Sequence, residues 1–379
     1  MKLRRKLIMS ILSVLLLVMT LTTTTYAWFN TYSQVVVEGF NISVTGGKGF
    51  LISIDNIHYY NDLTKDKILS AIILSRDKLS EEPLYELKDE KLYLKGTDTL
   101  VTEAEKLSII SNMKLRPRTT QDGLNFEDLY GSKLSLLDNT YISFDVYFKQ
   151  ASENPDEGLT YDIYLLGEDK VLDDGTNVKR SNITSERLDV NLRSFLKTYD
   201  IASNEVISYS PGDILETYAS NALRLSIYDE SKFENQTDIF ADIYEFPNEK
   251  DLGSYATTYK AEDDNISTEE EKRLKTKLYD CRYNAGYTYF NSLRNGLLLG
   301  EELKYERQNE TDKVLPASIR NITNIDDLPT ITRVSSGEAG KKVKFTIWLE
   351  GWDADCFDGI ANNVNICLSF TSKKVESEN

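Results

Sequence analysis

Apolar residues at every second position are the feature that most constrains this chain. The clearest run is 141–149, whose apolar positions are Ile142, Phe144, Val146 and Phe148. Successive side chains of a β-strand point to opposite faces of a sheet, so the run predicts a strand with one buried face. The same alternation recurs near the carboxyl terminus, in 342–349 and 364–370. We therefore expect Ile142, Phe345 and Ile366 to share one interior.

Further strands are predicted along the chain, at 36–44, 50–54, 161–166, 222–228 and 239–246. Gly46-Gly47 supplies a turn between the first two of these, which predicts a β-hairpin over 35–55. A loop rich in turn residues separates 142–148 from 161–166, so we expect those strands to pair antiparallel. The two carboxyl-terminal runs are expected to form a closing pair.

Alternating strands at both ends and in the middle predict a mainly β fold, an antiparallel β-sandwich of jelly-roll type. Residues 28–379 are expected to form this domain, with helical or irregular insertions at about 60–120 and 250–335. Helical spacing in the first insertion involves Leu69, Ile72, Ile73, Leu74, Leu107, Ile109 and Ile110, and a strand is predicted at 91–94. A capping box at 267–270 predicts a helix in the second. Residues 115–123 are expected to be a loop.

The first 27 residues have the composition of a secretory signal. Basic residues precede an apolar run from Leu7 to Leu21, which is shorter than a membrane span needs. Small residues at Thr25 and Ala27 predict cleavage after Ala27. The alternative is an uncleaved amino-terminal anchor. We expect a secreted protein of the cell surface that meets a membrane only through this segment during export.

The charge and the few metal-binding side chains restrict the function. A net charge of −17 repels nucleic acid and favours a solvated surface. The chain has one histidine, His58, which argues against a structural zinc site and against a catalytic triad. We interpret His58 as an ordinary loop residue. Cys281, Cys356 and Cys367 allow one disulfide with three alternative pairings, or none.

One acidic loop offers a calcium hypothesis. Its carboxylates are Glu350, Asp353, Asp355 and Asp358. Calcium favours several oxygen ligands on a flexible loop, although the spacing does not match an EF-hand. The alternative is a solvated acidic loop. No other cofactor is expected.

Both termini and part of the middle of the chain resemble a known group of exported proteins. The segments concerned are 25–30, 141–148 and 348–356. They are similar to secreted proteins of Gram-positive bacteria that share the export signal of the camelysin and TasA group. The resemblance implies a jelly-roll exported by a dedicated signal peptidase, with some relatives assembling into biofilm fibres by giving an amino-terminal strand to the next subunit.

In this chain the donor strand would lie in 28–44, with Val36, Phe40, Ile42 and Val44 on its apolar side. An added strand satisfies the open edge of a sheet while alternate side chains fill its groove. The alternative is that 35–44 pairs within its own domain. The metalloprotease activity described for camelysin is not implied, because the chain lacks a His-Glu-x-x-His helix.

The resulting hypothesis is a non-enzymatic surface or extracellular-matrix protein whose partner is itself, as a homopolymer, or another surface protein. A second hypothesis is an adhesin for glycans, which would use tyrosines of the second insertion: Tyr279, Tyr283, Tyr287 and Tyr289. Tyrosines are more often packing residues than binding residues. An exported hydrolase is the third hypothesis, and no nucleophile motif supports it.

Overall fold

The computed structural model describes part of the chain. The described residues are 35–36, 49–111, 113–120, 122–127, 133–154, 157–171, 175, 177–191, 196–200, 205–210, 212–233, 241–246, 319–321, 329–351 and 364–375. They form two α-helices and twenty-four strands, many of them short. The described part is therefore mainly β.

The elements are α1 (Lys65–Asp77), α2 (Glu103–Ser111), β1 (Val35–Val36), β2 (Phe50–Ser53), β3 (Tyr85–Lys88), β4 (Lys91–Leu94), β5 (Lys114–Leu115), β6 (Pro117–Arg118), β7 (Phe126–Glu127), β8 (Lys133–Leu134), β9 (Ile142–Gln150), β10 (Thr160–Leu165), β11 (Lys170–Val171), β12 (Asn177–Val178), β13 (Asn182–Ser185), β14 (Arg187–Asn191), β15 (Leu196–Asp200), β16 (Glu205–Tyr209), β17 (Ile214–Tyr218), β18 (Leu223–Asp229), β19 (Asp242–Glu245), β20 (Ile319–Asn321), β21 (Thr332–Ser335), β22 (Lys341–Glu350), β23 (Val364–Cys367) and β24 (Phe370–Lys374). Short 3-10 helices occupy Leu136–Asp138, Ala219–Ala222 and Glu230–Phe233.

The largest sheet, which we call the main sheet, has the order β2-β9-β22-β18-β19-β20, and β6 pairs with the end of β22. Its pairings are antiparallel except those of β19 with β20 and of β22 with β6. In the central register, Phe345 lies opposite Phe144 on one side and Ile227 on the other. The register thus aligns the apolar faces of β9, β22 and β18.

The alternation that predicted β9 is confirmed. Ile142, Phe144, Val146 and Phe148 are each at most 1 % exposed. Asp145, Tyr147 and Lys149 on the opposite face are only partly buried. The strands predicted at 161–166, 222–228, 239–246, 342–349 and 364–370 also correspond to strands of the described residues.

A second sheet, with the order β21-β10-β24, packs against the main sheet. The ring of Phe370 in β24 lies 5.1 Å from that of Phe148 and 5.7 Å from that of Phe345. Ile142, Phe345 and Ile366 belong to one buried cluster, as expected. The two sheets therefore enclose a common apolar core.

Three predicted pairings are wrong. The strand β9 pairs with β2 and β22, and not with β10, which pairs with β21 and β24. The expected closing pair is also absent from the described strands, because β23 pairs with β13 and β24 with β10. Strands that are neighbours in sequence do not pair here because they lie in different sheets: β9 and β22 belong to the main sheet, and β10 and β24 to the second sheet. Each strand buries its apolar face by facing the other sheet across the core.

The third wrong pairing is the hairpin over 35–55. Val35 and Val36 pair with Leu115 and Lys114, while β2 pairs with β9. The remaining residues of the predicted first strand lie outside the described residues. The predicted loop 115–123 contains β6 and a bridge from Thr119 to Glu127, so it follows the sheet more closely than expected.

Helices α1 and α2 confirm the helical spacing of the first insertion, and β4 covers the predicted 91–94 strand. Ile68, Leu69, Ile72 and Ile73 of α1 are buried in the main core. Lys106 of α2 is 2 % exposed and its Nζ lies 2.6 Å from Oδ1 of Asp66, which ties the helices together. Neither described helix is long and apolar enough to cross a membrane. The second insertion, including 267–270, lies outside the described residues.

Candidate functional site

A closed loop follows β2 at the edge of the main sheet. The backbone N–H of Ile52 donates to the carbonyl of Tyr60 at 2.8 Å, and the N–H of Tyr60 donates back to Ile52 at 2.9 Å. Between them the chain reverses through Asn56, whose φ of 62° is left-handed. Asparagine adopts this conformation more readily than most residues. The loop from Ser53 to Tyr60 is thus held at both ends.

Asp55 organises the inside of this loop. Its Oδ1 accepts hydrogen bonds from the hydroxyl of Ser53 at 2.7 Å and from the backbone N–H groups of Ile57 and His58 at 2.9 Å each. Its Oδ2 lies 2.7 Å from Nδ1 of His58. Burial alone would raise the pKa of Asp55, but the hydrogen bonds from His58, Ile57 and Ser53 outweigh it and lower this pKa to about 2.

Glu90 reaches the loop from the two-residue turn between β3 and β4. Asp89 and Glu90 both have positive φ, 46° and 64°. That geometry fits the type I′ hairpin turn, which usually contains asparagine or glycine. The Tyr60 hydroxyl donates to Oε2 of Glu90, and Nζ of Lys67 donates to Oε1 at 2.6 Å. Lys67 also lies over the Tyr60 ring, 3.2 Å from its centroid.

These contacts set the charges of the group. The hydrogen bond to Asp55 raises the pKa of His58. Burial would raise the pKa of Glu90, but its hydrogen bonds from Lys67 and Tyr60 lower it. Both carboxylates are therefore ionised at neutral pH. We name Asp55, His58 and Glu90 the histidine-carboxylate cluster.

The cluster contains residue types that bind metal ions. Each residue offers one ligand atom, and the three atoms lie within 4.8 Å of one another. Asp55 also orients the His58 ring, as a carboxylate does for a general base. A catalytic triad would need a nucleophile bonded to that ring. Within the described ranges, His58 has no serine, threonine or cysteine hydrogen-bond partner.

Two predicted sites are placed only in part. Of the donor-strand residues, Val36 pairs with Lys114 in β5. Phe40, Ile42 and Val44 lie outside the described residues. Of the calcium candidates, Glu350 is 1 % exposed, and its Oε2 accepts a hydrogen bond from the indole N–H of Trp348 at 3.1 Å. The structure does not describe the other three, Asp353, Asp355 and Asp358, so calcium binding stays a prediction.

The remaining predicted sites also stay untested. Cys367 is half-buried, with its Sγ 3.7 Å from the hydroxyl of Ser369. Cys281, Cys356, the cleavage residues Thr25 and Ala27, and the four tyrosines of the second insertion lie outside the described residues.

Sequence reasoning missed the partners of His58. Asp55 precedes it by three residues, a spacing at which an aspartate side chain readily bonds to backbone N–H groups ahead of it. That local signal was available. Glu90 and Lys67 carry no such signal, because only the folding of α1 and the β3–β4 hairpin brings them to the loop.

The fold and the cluster define a class: a mainly β protein whose mostly antiparallel sheets share one core and carry a histidine-carboxylate cluster at the edge of the main sheet. Comparison of the chain with protein-family models, curated proteins and solved structures found no match.

Proposed function

We propose that this chain is an exported, non-enzymatic protein of the cell surface or extracellular matrix, built on a jelly-roll-type sandwich. Its subunits assemble into fibres when residues 28–44 of one subunit pair with the sheet of the next. The terminal segments that resemble the camelysin and TasA group motivate this proposal.

The observation that carries the proposal is the pairing of β1. Val35 and Val36 pair antiparallel with Leu115 and Lys114, far along the chain. The strand β2, which follows β1 in sequence, pairs elsewhere. Val35 and Val36, the described residues of the proposed donor segment, therefore pair with a distant part of the chain.

A strand added in this way is suited to exchange between subunits. The same backbone groups of β5 can accept the segment from their own subunit or from a neighbour, so exchange replaces equivalent contacts at low cost. The described pairing covers two residues on each strand. Each backbone hydrogen bond contributes only about 0.5–1.5 kcal/mol, so these two residue pairs alone oppose exchange weakly.

The position of His58 gives no support to the alternative of a hydrolase with a histidine-based triad. The one histidine of the chain bonds to Asp55 in a surface loop. A hydrolytic triad needs that histidine beside a nucleophile. The acidic net charge keeps unassembled subunits soluble through mutual repulsion.

Sedimentation velocity and electron microscopy would test assembly. The chain 28–379 should form larger species and fibres as its concentration rises, and the chain 45–379 should not. A synthetic peptide of residues 28–44 should bind the shortened chain at one per subunit and stop fibre growth of the longer one.

The matched control is the same peptide with Val35→Pro and Val36→Pro, which removes two backbone donors. This peptide should neither bind nor stop growth. A chain 28–379 that stays monomeric at all concentrations would contradict the proposal, as would undiminished assembly of 45–379.

A further inference from the structure

We propose that Asp55, His58 and Glu90 bind one divalent transition-metal ion of the zinc type, which joins the loop after β2 to the β3–β4 hairpin. The ligands would be one imidazole nitrogen and two carboxylate oxygens, with water completing the coordination.

The positions of the three side chains support this site. Their ligand atoms already lie within 4.8 Å of one another, on two separate segments. Tetrahedral coordination with bonds of about 2.0–2.1 Å requires ligand separations of about 3.3 Å. The contact of 2.7 Å between Asp55 and His58 must open slightly, and Glu90 must approach. Because the Tyr60 hydroxyl bonds to Oε2 of Glu90 and Lys67 bonds to Oε1, the metal ion must also displace one of these two donors.

The charges around His58 also favour a bound cation. Among the described residues, Asp55, Asp89 and Glu90 act on His58 by their charge, and Lys67 bonds to Glu90. When His58 is neutral, as a metal ligand must be, one ammonium against three carboxylates leaves two negative charges unbalanced. A divalent cation neutralises them, and the partial burial of the cluster strengthens that attraction.

Ligand chemistry selects the type of metal. Calcium and magnesium take oxygen ligands almost entirely. A neutral imidazole beside two carboxylates suits zinc and the neighbouring transition metals. The bonds that Ser53, Ile57 and His58 donate to Oδ1 of Asp55 hold that carboxylate with Oδ2 directed at the ring. Such outer contacts orient ligands in known metal sites.

Lys67 provides the sharpest test. Its ammonium occupies Oε1 of Glu90 at 2.6 Å, where it competes with a metal ion. Lys67→Met removes the charge and keeps a long, helix-compatible side chain in α1. This variant should therefore bind the metal more tightly. A structural role of Lys67 alone would not produce tighter binding.

Zn²⁺ titration of the full chain against a chromophoric chelator, with millimolar Ca²⁺ and Mg²⁺ present, would measure the affinity. We expect one Zn²⁺ per chain with a micromolar Kd. His58→Ala, Asp55→Asn and Glu90→Gln should each weaken binding at least tenfold, and Lys67→Met should tighten it several-fold. X-ray absorption at the zinc edge should show one imidazole with oxygen ligands at about 2.0–2.1 Å.

The matched control is Asp169→Asn, which removes an exposed carboxylate that also pairs with a lysine, Lys179. It should leave the Kd unchanged, and circular dichroism should show that every variant folds. Absence of binding below about 100 μM would overturn the proposal. So would equal binding by His58→Ala, equal weakening by Asp169→Asn, displacement by Ca²⁺, or no gain in Lys67→Met.

Discussion

Phe345 in β22 and Phe370 in β24 meet edge to face, with ring centroids 5.7 Å apart and planes at 64°. Phe345 also stacks with Phe144 of the neighbouring strand at 5.6 Å. One ring thus contacts both its own sheet and the facing sheet. The joint between the two layers depends on side chains of this kind, because no strand pairing among the described residues links the two sheets.

A double-mutant cycle should detect the contact between Phe345 and Phe370 that connects the two sheets. Phe345→Leu and Phe370→Leu should each lower the free energy of unfolding, with a coupling of about 0.5–1.5 kcal/mol in urea denaturation. Phe126 is the control, because it packs on Trp348 in a separate cluster on the other face of β22. Phe345→Leu and Phe126→Leu should be additive. Equal coupling in both cycles would contradict the layered packing.

Asp77 holds the connection between α1 and β3. Its two carboxylate oxygens accept the backbone N–H groups of Leu84 and Tyr85, both at 2.9 Å. Asp77→Ala should lower the free energy of unfolding by about 1–3 kcal/mol, since both donors lose their acceptor. Asp77→Asn keeps one acceptor oxygen and should cost less.

Hydrogen exchange would localise this effect, with faster exchange expected at the amides of Leu84 and Tyr85. The control is Asp98→Ala in an exposed turn, which should change stability by less than about 0.5 kcal/mol. An Asp77→Ala variant as stable as the control would show that solvent satisfies these donors.

The sequence predicted strands better than it predicted their partners. Period-two alternation identified β9 and β22 because the apolar side chains of the main core lie on one face of each strand, and that leaves a local pattern in the sequence. The choice of pairing partner leaves no such local pattern, because Ile142 lies beside Ile347, about two hundred residues away in the sequence. Such pairings depend on which layers enclose the core, and proximity in sequence favoured the wrong neighbours.

The histidine-carboxylate cluster shows the same limit. Asp55 and His58 lie on one loop, and their spacing is visible in the sequence. Glu90 is brought to the loop by a turn whose two residues have positive φ but are not glycine. The sequence therefore lacks the residues that usually mark such a turn, and the position of Glu90 was not predicted. Lys67 comes from α1, whose orientation is set by the residues that it buries.

Tyr141 gives the protein an alkaline pH dependence. Burial, and then the charge of Asp138, raises the pKa of Tyr141 to about 12. The folded state holds this proton more tightly than the unfolded state, where the pKa is about 10. The contribution of protonated Tyr141 to the free energy of unfolding is complete below pH 10 and is lost as the pH rises towards 12.

Urea denaturation at pH 9 and pH 11 should therefore show a loss of about 1.4 kcal/mol from this group in the wild type. Tyr141→Phe keeps the ring that stacks on Phe126 at 4.4 Å and removes the proton. The stability difference between the two proteins should shift by that amount in favour of the variant. An unchanged difference would show that the folded state accommodates the phenolate.

A comparison of Gly123 with Gly96 separates the cost of a strained backbone conformation from the cost of a steric clash. Their φ values are nearly equal, +71° and +74°. A Cβ at Gly123 would lie 2.8 Å from Cβ of Ala241 and 3.2 Å from Cβ of Ser226, whereas a Cβ at Gly96 meets no described atom within 4 Å. The carbonyl of Gly123 also accepts a hydrogen bond from the Ser226 hydroxyl at 2.8 Å, which fixes the loop on β18.

Gly96→Ala should cost about 1–2 kcal/mol, because an L-residue is strained in the left-handed region. Gly123→Ala should cost about 1–3 kcal/mol more, since the loop must also move away from β18. Urea denaturation of the two variants measures the difference, and hydrogen exchange of the β18 amides should accelerate only in Gly123→Ala. Equal losses in both variants would mean that the loop over Ser226 yields freely, and that its hydrogen bond contributes little to the packing of this face.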